Sequence, residues 1–252
     1  MKQPAMNRED SHKTLEGAAR FAATKGLSRF TRFLDPAQVA EAEQIARACG
    51  VGFEKFGGYP QAERAIGCFH PLDEEIEEAN YPLVCLHTRY ANRFCTLTHR
   101  DLLGAFMALG LTRDSVGDMI IGDEDIFLFV SETVAEYVAG SLTGAGRASL
   151  HLETLTEIPP IPEPKGQAFS AVISSLRLDA VLAAAYKLSR SEAAEAIRSG
   201  LVKVNHLPCA QTDARVEEGA LLSLRGKGRI RFVAPLGTTR KQRISVSFFR
   251  YE

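Results

Sequence analysis

Two stretches near the C-terminus alternate apolar and polar positions with the period of a β-strand. In Leu201-Val202-Lys203-Val204-Asn205, the alternation sets Val202 and Val204 on one face and Leu201, Lys203 and Asn205 on the other. The valine pair is the core side, which leaves Lys203 and Asn205 outside. From Arg243 to Arg250, Ile244, Val246 and Phe248 alternate with Ser245, Ser247 and Phe249, which predicts a final strand on the same sheet. A short helix carrying Arg177 and Asp179 precedes them, and a second helix opens at Leu188-Ser189-Arg190-Ser191. Ser189 stands three residues before Glu192, the capping-box spacing, in which hydroxyl and carboxylate each accept from the other residue's backbone N–H. Ala193, Ala194 and Ala196 favour the helix, Ile197 gives it an apolar contact, and Gly200 closes it in the left-handed conformation.

Further upstream, Ser11 to Phe33 reads as helix with a break at Gly26. Asp35-Pro36 is an N-cap followed by proline at the first helical position, so a helix is predicted from Pro36 to Cys49. Val51 to Phe56 and Arg64 to Phe69 read as strands around a Gly57-Gly58-Tyr59-Pro60 turn, and Asp73 to Ala79 as a short acidic helix. Leu83 to Thr88 is strand-like, and His99 to Leu109 is an apolar-striped helix ending at Gly110. Asp118 to Ile121 and Asp125 to Val130 form a hairpin, Glu132 to Ser141 a helix, and Ala148 to Glu153 a strand. The order β-α-β-β-α-β matches the ferredoxin-like, or RNA-recognition-motif, plan, without that motif's usual aromatic signature. Four prolines between Pro159 and Pro164 then exclude a helix or central strand and mark a boundary.

Charge sharpens this division. Residues 175–252 hold 14 Lys and Arg against 7 Asp and Glu, whereas residues 1–174 hold 16 against 24, so a net charge of −1 hides a basic module on an acidic body. Such a module suggests one directed nucleic-acid face. The start of the second helix favours phosphate through its free N–H groups and dipole, with Arg190 and Ser191 in its first turn. Arg225-Gly226-Lys227-Gly228-Arg229 adds three cations on a glycine-spaced hairpin suited to a phosphate backbone. The cysteines, Cys49, Cys68, Cys85, Cys95 and Cys209, are odd in number and widely spaced, which favours reduced thiols in the cytosol. No apolar run has the length needed to cross a bilayer, so no membrane role is expected.

The ordered pattern from Leu176 to Arg229 resembles the S4 domain, a small RNA-binding module. Matched to S4 patterns, Arg177, Ser189, Arg190, Lys203, Asn205, Arg225, Lys227 and Arg229 become RNA-contact candidates, with Ser191 beside them; Asp179 matches too, either touching RNA or orienting Arg177 or Arg190. His206 departs from the glycine many S4 domains have after Asn205, which bears on the turn's geometry. The run Leu97-Thr98-His99-Arg100-Asp101-Leu102-Leu103-Gly104-Ala105, with Leu109-Gly110-Leu111-Thr112-Arg113-Asp114, Val116-Gly117-Asp118-Met119-Ile120 and the S4 domain after a Pro-rich linker, makes most of the chain, above all from Leu97 onward, similar to the YlmH family of bacterial S4-domain proteins. The resemblance implies a non-enzymatic, ribosome-associated protein. Its expected partners are ribosomal RNA and tRNA on large subunits obstructed by peptidyl-tRNA. It would be cytoplasmic, a monomer off the ribosome, and without cofactor.

The expected fold is therefore α+β and multi-domain. An N-terminal helical and α+β region (1–80) precedes a ferredoxin-like, RRM-like unit (81–157), a Pro-rich linker (158–166) and an S4 domain with a basic tail (167–252). Arg240, Lys241 and Arg243 extend the basic face.

The rival readings are an RNA-modifying enzyme targeted by an S4 domain and a protein-interaction scaffold. Leu176-Arg177-Leu178-Asp179 resembles a pseudouridine-synthase motif but falls in the S4 first helix, and no Gly-rich loop after a strand offers a methyltransferase site. No catalytic residues are assigned. Cys68-Phe69-His70, Cys85-Leu86-His87 and Cys95 four before His99 offer zinc-type ligands in a spacing that matches no zinc signature, so no metal is expected. Glu74-Glu75-Ile76-Glu77-Glu78 reads as a solvated helix face, Asp123-Glu124-Asp125 as a hairpin turn, and Asp101 of His99-Arg100-Asp101 as a helix-dipole partner.

Overall fold

The computed structural model describes residues 8–90, 97–161, 166–238 and 242–251. The chain divides into two compact units, Met1–Pro162 and Glu163–Glu252.

The first unit begins with helix α1 (Arg8–Lys25), which buries Leu15, Ala19 and Ala22. Gly26, at φ 62°, ends it, and the Gly26 N–H donates to the carbonyl of Ala22 at 3.0 Å. The chain then forms strand β1 (Arg29–Leu34) instead of continuing as helix to Phe33. Phe30 and Phe33, three apart, mimic helical spacing, but a register shift between them in the pairing of β1 accounts for the interval. Helix α2 (Pro36–Cys49) starts and stops as its caps require: Asp35 accepts from the Ala37 and Gln38 N–H groups at 2.9 Å, and Gly50 takes φ 69°. Strands β2 (Gly52–Phe56) and β3 (Ala65–His70) complete an antiparallel sheet of order β1-β3-β2. The expected helix over Asp73–Ala79 is absent; only a 3-10 turn, Glu78–Asn80, forms there. Four glutamates around a single apolar residue supply no buried stripe to offset their repulsion, and Glu77 makes no side-chain cap.

The middle of the chain follows the expected ferredoxin-like plan. Strand β4 (Leu83–Arg89), helix α3 (His99–Ala108), strands β5 (Val116–Ile121) and β6 (Asp125–Ser131) and helix α4 (Glu132–Ser141) come in that order. The expected last strand is broken. Ala148–Ser149 (β8) pairs with Gly144–Ala145 (β7), Leu150 and Leu152 turn into the core, and Glu153–Leu155 (β9) then pairs with β4. The antiparallel sheet has the order β5-β6-β4-β9. Leu102 and Phe106 of α3 and Ala135 and Val138 of α4 pack on one face, against Leu86, Ile126, Leu128 and Val130.

The opposite face of that sheet is covered. Cys85, Phe127 and Phe129 share a buried cluster with Phe33, Ile66 and Cys68 of the N-terminal sheet and with Tyr81. Ile158 and Ile161, from the start of the Pro-rich segment, pack against the same cluster. A polar knot fixes the two sheets. The Asp118 carboxylate accepts from the Tyr59 hydroxyl at 2.8 Å and from the Glu63 and Arg64 N–H groups at 2.7 and 3.1 Å. Arg64 donates to the carbonyls of Phe33, Arg113 and Val116 at 3.0–3.1 Å. Burial holds the Arg64 and Arg113 guanidinium pKa values below their ordinary range, that of Arg113 at about 10.

The second unit opens with strand β10 (Gly166–Ile173), in a segment where the sequence pattern predicts only a lead-in. Helices α5 (Leu178–Tyr186) and α6 (Arg190–Arg198) follow, then strands β11 (Val202–Val204), β12 (Leu207–Pro208), β13 (Leu221–Leu224), β14 (Gly228–Thr238) and β15 (Ile244–Tyr251). The sheet order is β10-β15-β14-β13-β11-β12, so the expected terminal strand forms and lies between β10 and β14. Val181, Leu182, Ala193 and Ile197 of the helices pack on one sheet face, with Val202, Leu222, Ile230, Phe232, Val246 and Phe248. Asn205 (φ 47°) and His206 (φ 68°) make the two-residue turn joining β11 to β12, so His206 adopts the left-handed conformation without being glycine.

Candidate nucleic-acid interface

Two helix starts converge on one carboxylate. Asp179, 7% exposed, lies in the first turn of α5. Arg177, the N-cap residue of α5, meets it at 3.3 Å through both Nε and Nη2. Arg190, the first residue of α6, donates from Nη2 to the same carboxylate at 2.7 Å and from Nη1 to the Ser174 hydroxyl at 3.2 Å. Both arginine side chains remain about half exposed, at 46% and 49%. Burial pushes the Asp179 carboxyl pKa up, but hydrogen bonds and charge from Arg177 and Arg190 outweigh it and hold the pKa below its ordinary value. The same hydrogen bonds raise the Arg177 pKa. Two guanidinium groups against one carboxylate leave a fixed surplus positive charge, with donor edges still open to solvent.

The local sequence places this cluster. The Ser189–Glu192 capping box forms as expected: Ser189 N–H donates to the Glu192 carboxylate at 2.7 Å, and Glu192 N–H to the Ser189 hydroxyl at 3.1 Å. The Ser191 hydroxyl lies 3.0 Å from that of Ser189. Residues Thr212 and Ala214 accept from the N–H groups of Asp179 and Leu178 at 3.0 and 2.8 Å, which ties the start of α5 to the loop before β13. Backbone and side-chain hydrogen bonds from Ser189 hold the Glu192 carboxyl below its ordinary pKa, and the charge of Lys227 adds to this. The hairpin carrying Lys227 is pinned from below, since the Tyr186 hydroxyl lies 2.9 Å from the carbonyls of both Leu222 and Gly228. Gly226 and Gly228 take φ of about 80°, as the tight turn demands.

The structure thus divides the residues expected to touch RNA. Arg177, Ser189, Arg190 and Ser191 gather at the helix starts, with Lys227 acting on the α6 cap. Arg225 sits in the hairpin turn, and its N–H donates to the carbonyl of Leu201 at 3.0 Å. Lys203 and Arg229 instead lie on the sheet, both paired with Ser223 and so on the face opposite the helices. Asn205 is exposed, and its side-chain carbonyl accepts from the Leu221 N–H at 2.8 Å, a bond within the fold. Sequence reasoning passed over Arg231, Phe249 and Tyr251 on that same sheet face; the alternation from Ile244 to Phe249 was the available signal. Arg240 and Lys241 lie outside the described residues.

The rival motifs have structural partners. Asp101 closes a capping box with Thr98, whose hydroxyl lies 2.6 Å from its carboxylate. Asp125 meets His87 at 2.8 Å and Glu124 meets Arg89 at 3.0 Å, where the hairpin turn and β6 lie beside β4. Burial raises the Cys68 and Cys85 thiol pKa values to about 11 and 12, which keeps them protonated and apolar in character. Cys95 lies outside the described residues, and among those described no group of three or more His, Cys, Asp or Glu side chains is placed to hold a metal ion. No described helix is long and apolar enough to cross a membrane.

Comparison with known proteins agrees with this layout. Residues 6–66 match the family model "YlmH, N-terminal", residues 77–157 the model "Putative RNA-binding domain in YlmH", and residues 176–222 the S4 domain. A protein of Bacillus subtilis (strain 168), "Ribosome-associated protein quality control protein P2", is 36% identical over 224 residues, covering 88% of this chain and 87% of that protein. The solved structure of "Cell division protein ylmH from Streptococcus pneumoniae" shares the fold with a TM-score of 0.51 at 20% identity, over 61% of this chain and 94% of that one. With its N-terminal, middle and S4 segments all matched in order, the chain belongs to the YlmH family.

Proposed function

We propose that this protein is a non-enzymatic RNA-binding adaptor of the ribosome. It docks ribosomal RNA and tRNA on the large subunit through its S4 domain and serves quality control of subunits obstructed by peptidyl-tRNA. The observation that carries the reading is the Arg177–Asp179–Arg190 cluster. It presents two oriented, half-exposed guanidinium groups beside the N-terminus of α6. Arg177, Ser189, Arg190, Ser191 and Lys227 form the primary contact with phosphates of structured RNA. Asn205 and Arg225 extend it, and Lys203 and Arg229 meet RNA from the far sheet face. The ribosome-associated role in the name of the Bacillus subtilis relative supports the ribosomal setting. The protein works in the cytoplasm, as a monomer when off the ribosome, and needs no cofactor.

Sucrose-gradient sedimentation of the tagged protein from lysate, with sequencing of the bound RNA, tests this. Enrichment on free large subunits carrying peptidyl-tRNA is the expected result. Sedimentation at the top of the gradient, with one small RNA or none, contradicts it.

A further inference from the structure

We propose that the sheet face of the C-terminal unit turned away from α5 and α6 is a second RNA-contact surface, which stacks unpaired bases. This inference rests on the RNA-binding reading above and adds a different kind of RNA to it.

Strand alternation separates the two faces. Val202, Leu222, Ile230, Phe232, Val246 and Phe248 turn to the helices. Their neighbours Lys203, Ser223, Arg229, Arg231, Phe249 and Tyr251 turn the other way. Register brings these together: Lys203 lies opposite Ser223, Ser223 opposite Arg229, and Arg231 opposite Phe249. The Tyr251 ring gathers two cations, with the guanidinium carbons of Arg229 and Arg231 at 5.7 and 5.8 Å from its centroid. Arg231 Nε also donates to the Tyr251 hydroxyl at 2.7 Å. Phe249 meets Tyr251 edge to face, with centroids 5.2 Å apart and planes at 81°. Gly166, paired with Tyr251, makes room for this, since a Cβ there would come within 2.6 Å of the Phe249 ring.

Charge selects the occupant. Lys203, Arg229 and Arg231 give this sheet face three cations, and none of the strands β10 to β15 contains an Asp or Glu. A cationic face bearing paired aromatic rings suits a polyanion that also carries flat, apolar groups. Unpaired nucleotides are that ligand: their phosphates meet the guanidinium and ammonium groups, and their bases stack on rings and guanidinium planes. Lys203 to Tyr251 spans three strand spacings, about 14 Å, which accommodates a short single-stranded run. The side chains gathered at the helix starts include no aromatic ring, and that site suits the phosphate ridge of a folded RNA instead.

Fluorescence anisotropy of the full chain with two labelled RNAs, an unpaired oligouridine and a stable hairpin, tests the assignment. Tyr251→Leu is expected to weaken the unpaired strand about tenfold and the hairpin less than twofold. Arg231→Gln, which removes the charge over the Tyr251 ring and the hydrogen bond to its hydroxyl, is expected to act in the same direction. Arg190→Ala is expected to give the reverse pattern. Photo-crosslinking of thiouridine-substituted strand is expected to mark the peptide containing Phe249 and Tyr251. Wild-type affinity for the strand in a folded Tyr251→Leu or Arg231→Gln variant, or a wild-type protein that binds only the hairpin, overturns this inference alone. Failure to bind either RNA overturns the RNA-binding reading as well. Self-association that Tyr251→Leu abolishes would assign the face to a second copy and also overturn it.

Discussion

Arg190 donates to the carboxylate of Asp179 at 2.7 Å, so the first residue of α6 is held by the first turn of α5. Arg177 meets the same carboxylate at 3.3 Å. Asp179 therefore fixes where two cations point, at the cost of neutralising one of them. Asp179→Asn separates orientation from charge, because it makes the unit more positive while loosening both arginines. Simple electrostatics predicts tighter RNA binding. Orientation predicts binding to a structured RNA several-fold weaker, with about 1–2 kcal/mol of stability lost, less than for a fully buried pair because both arginines are half exposed. Titration with a labelled hairpin RNA and thermal melting measure the two effects.

The pH dependence of stability follows from the same carboxylate. Its folded pKa is depressed, so its contribution is complete above the unfolded value of about 3.9 and is lost as pH falls through the lower folded value. Arg177, whose pKa is raised, stays charged throughout, and the depressed Glu192 carboxyl acts with the same sign. The difference in melting temperature between wild type and Asp179→Asn is expected to be constant from neutral pH down to about pH 5 and to shrink below about pH 4. A difference that persists undiminished at low pH would show that the ion pairs contribute little.

Ser189→Ala removes the acceptor for the Glu192 N–H and one half of the capping box. The expected cost is about 1 kcal/mol of stability. Affinity for structured RNA should fall as well, because Arg190 and Ser191 sit in the turn that the cap organises. Chemical denaturation and RNA titration on the same variant check both.

Phe127 and Phe129 occupy the sheet of the middle domain, 4% and 0% exposed, where a recognition motif would present aromatic rings to bases. Here they meet the N-terminal sheet, and Tyr59 stacks on Phe129 with centroids 5.2 Å apart. Phe129→Ala is accordingly expected to destabilise the fold by about 3–5 kcal/mol, while Phe129→Leu should leave RNA affinity within twofold. A folded Phe129→Leu variant with much weaker RNA binding would show that the covered face opens to RNA.

What could be read from the chain beforehand follows the range of the interactions. The starts of α2 and α6 depend on Asp35, Pro36, Ser189 and Glu192, residues within one turn of the helix start they define, and both helices begin where those residues require. Strand β15 was legible from the spacing of Val246 and Phe248, but its place between β10 and β14 was not. Strand β1 was not, because Phe30 and Phe33 fit either period and only pairing with β3 decides between them. The buried state of Phe127 and Phe129 depends on Phe33 and Ile66, distant in sequence, and no local pattern carries that information. At the interface, Arg177 and Arg190 were legible as cations at helix starts. Their joint hold on Asp179, and the separation of Lys203 and Arg229 onto the far sheet face, required the tertiary register.

The most direct measurement is the salt dependence of binding to a structured RNA, compared between wild type and an Arg177→Ala/Arg190→Ala variant. Removing one cation from a phosphate should reduce the slope of log K against log salt by about one. The expected result is weaker binding at low salt with a slope reduced by about two, in a variant that remains folded. An unchanged affinity and slope in that folded variant would contradict the placement of the RNA contact at the two helix starts.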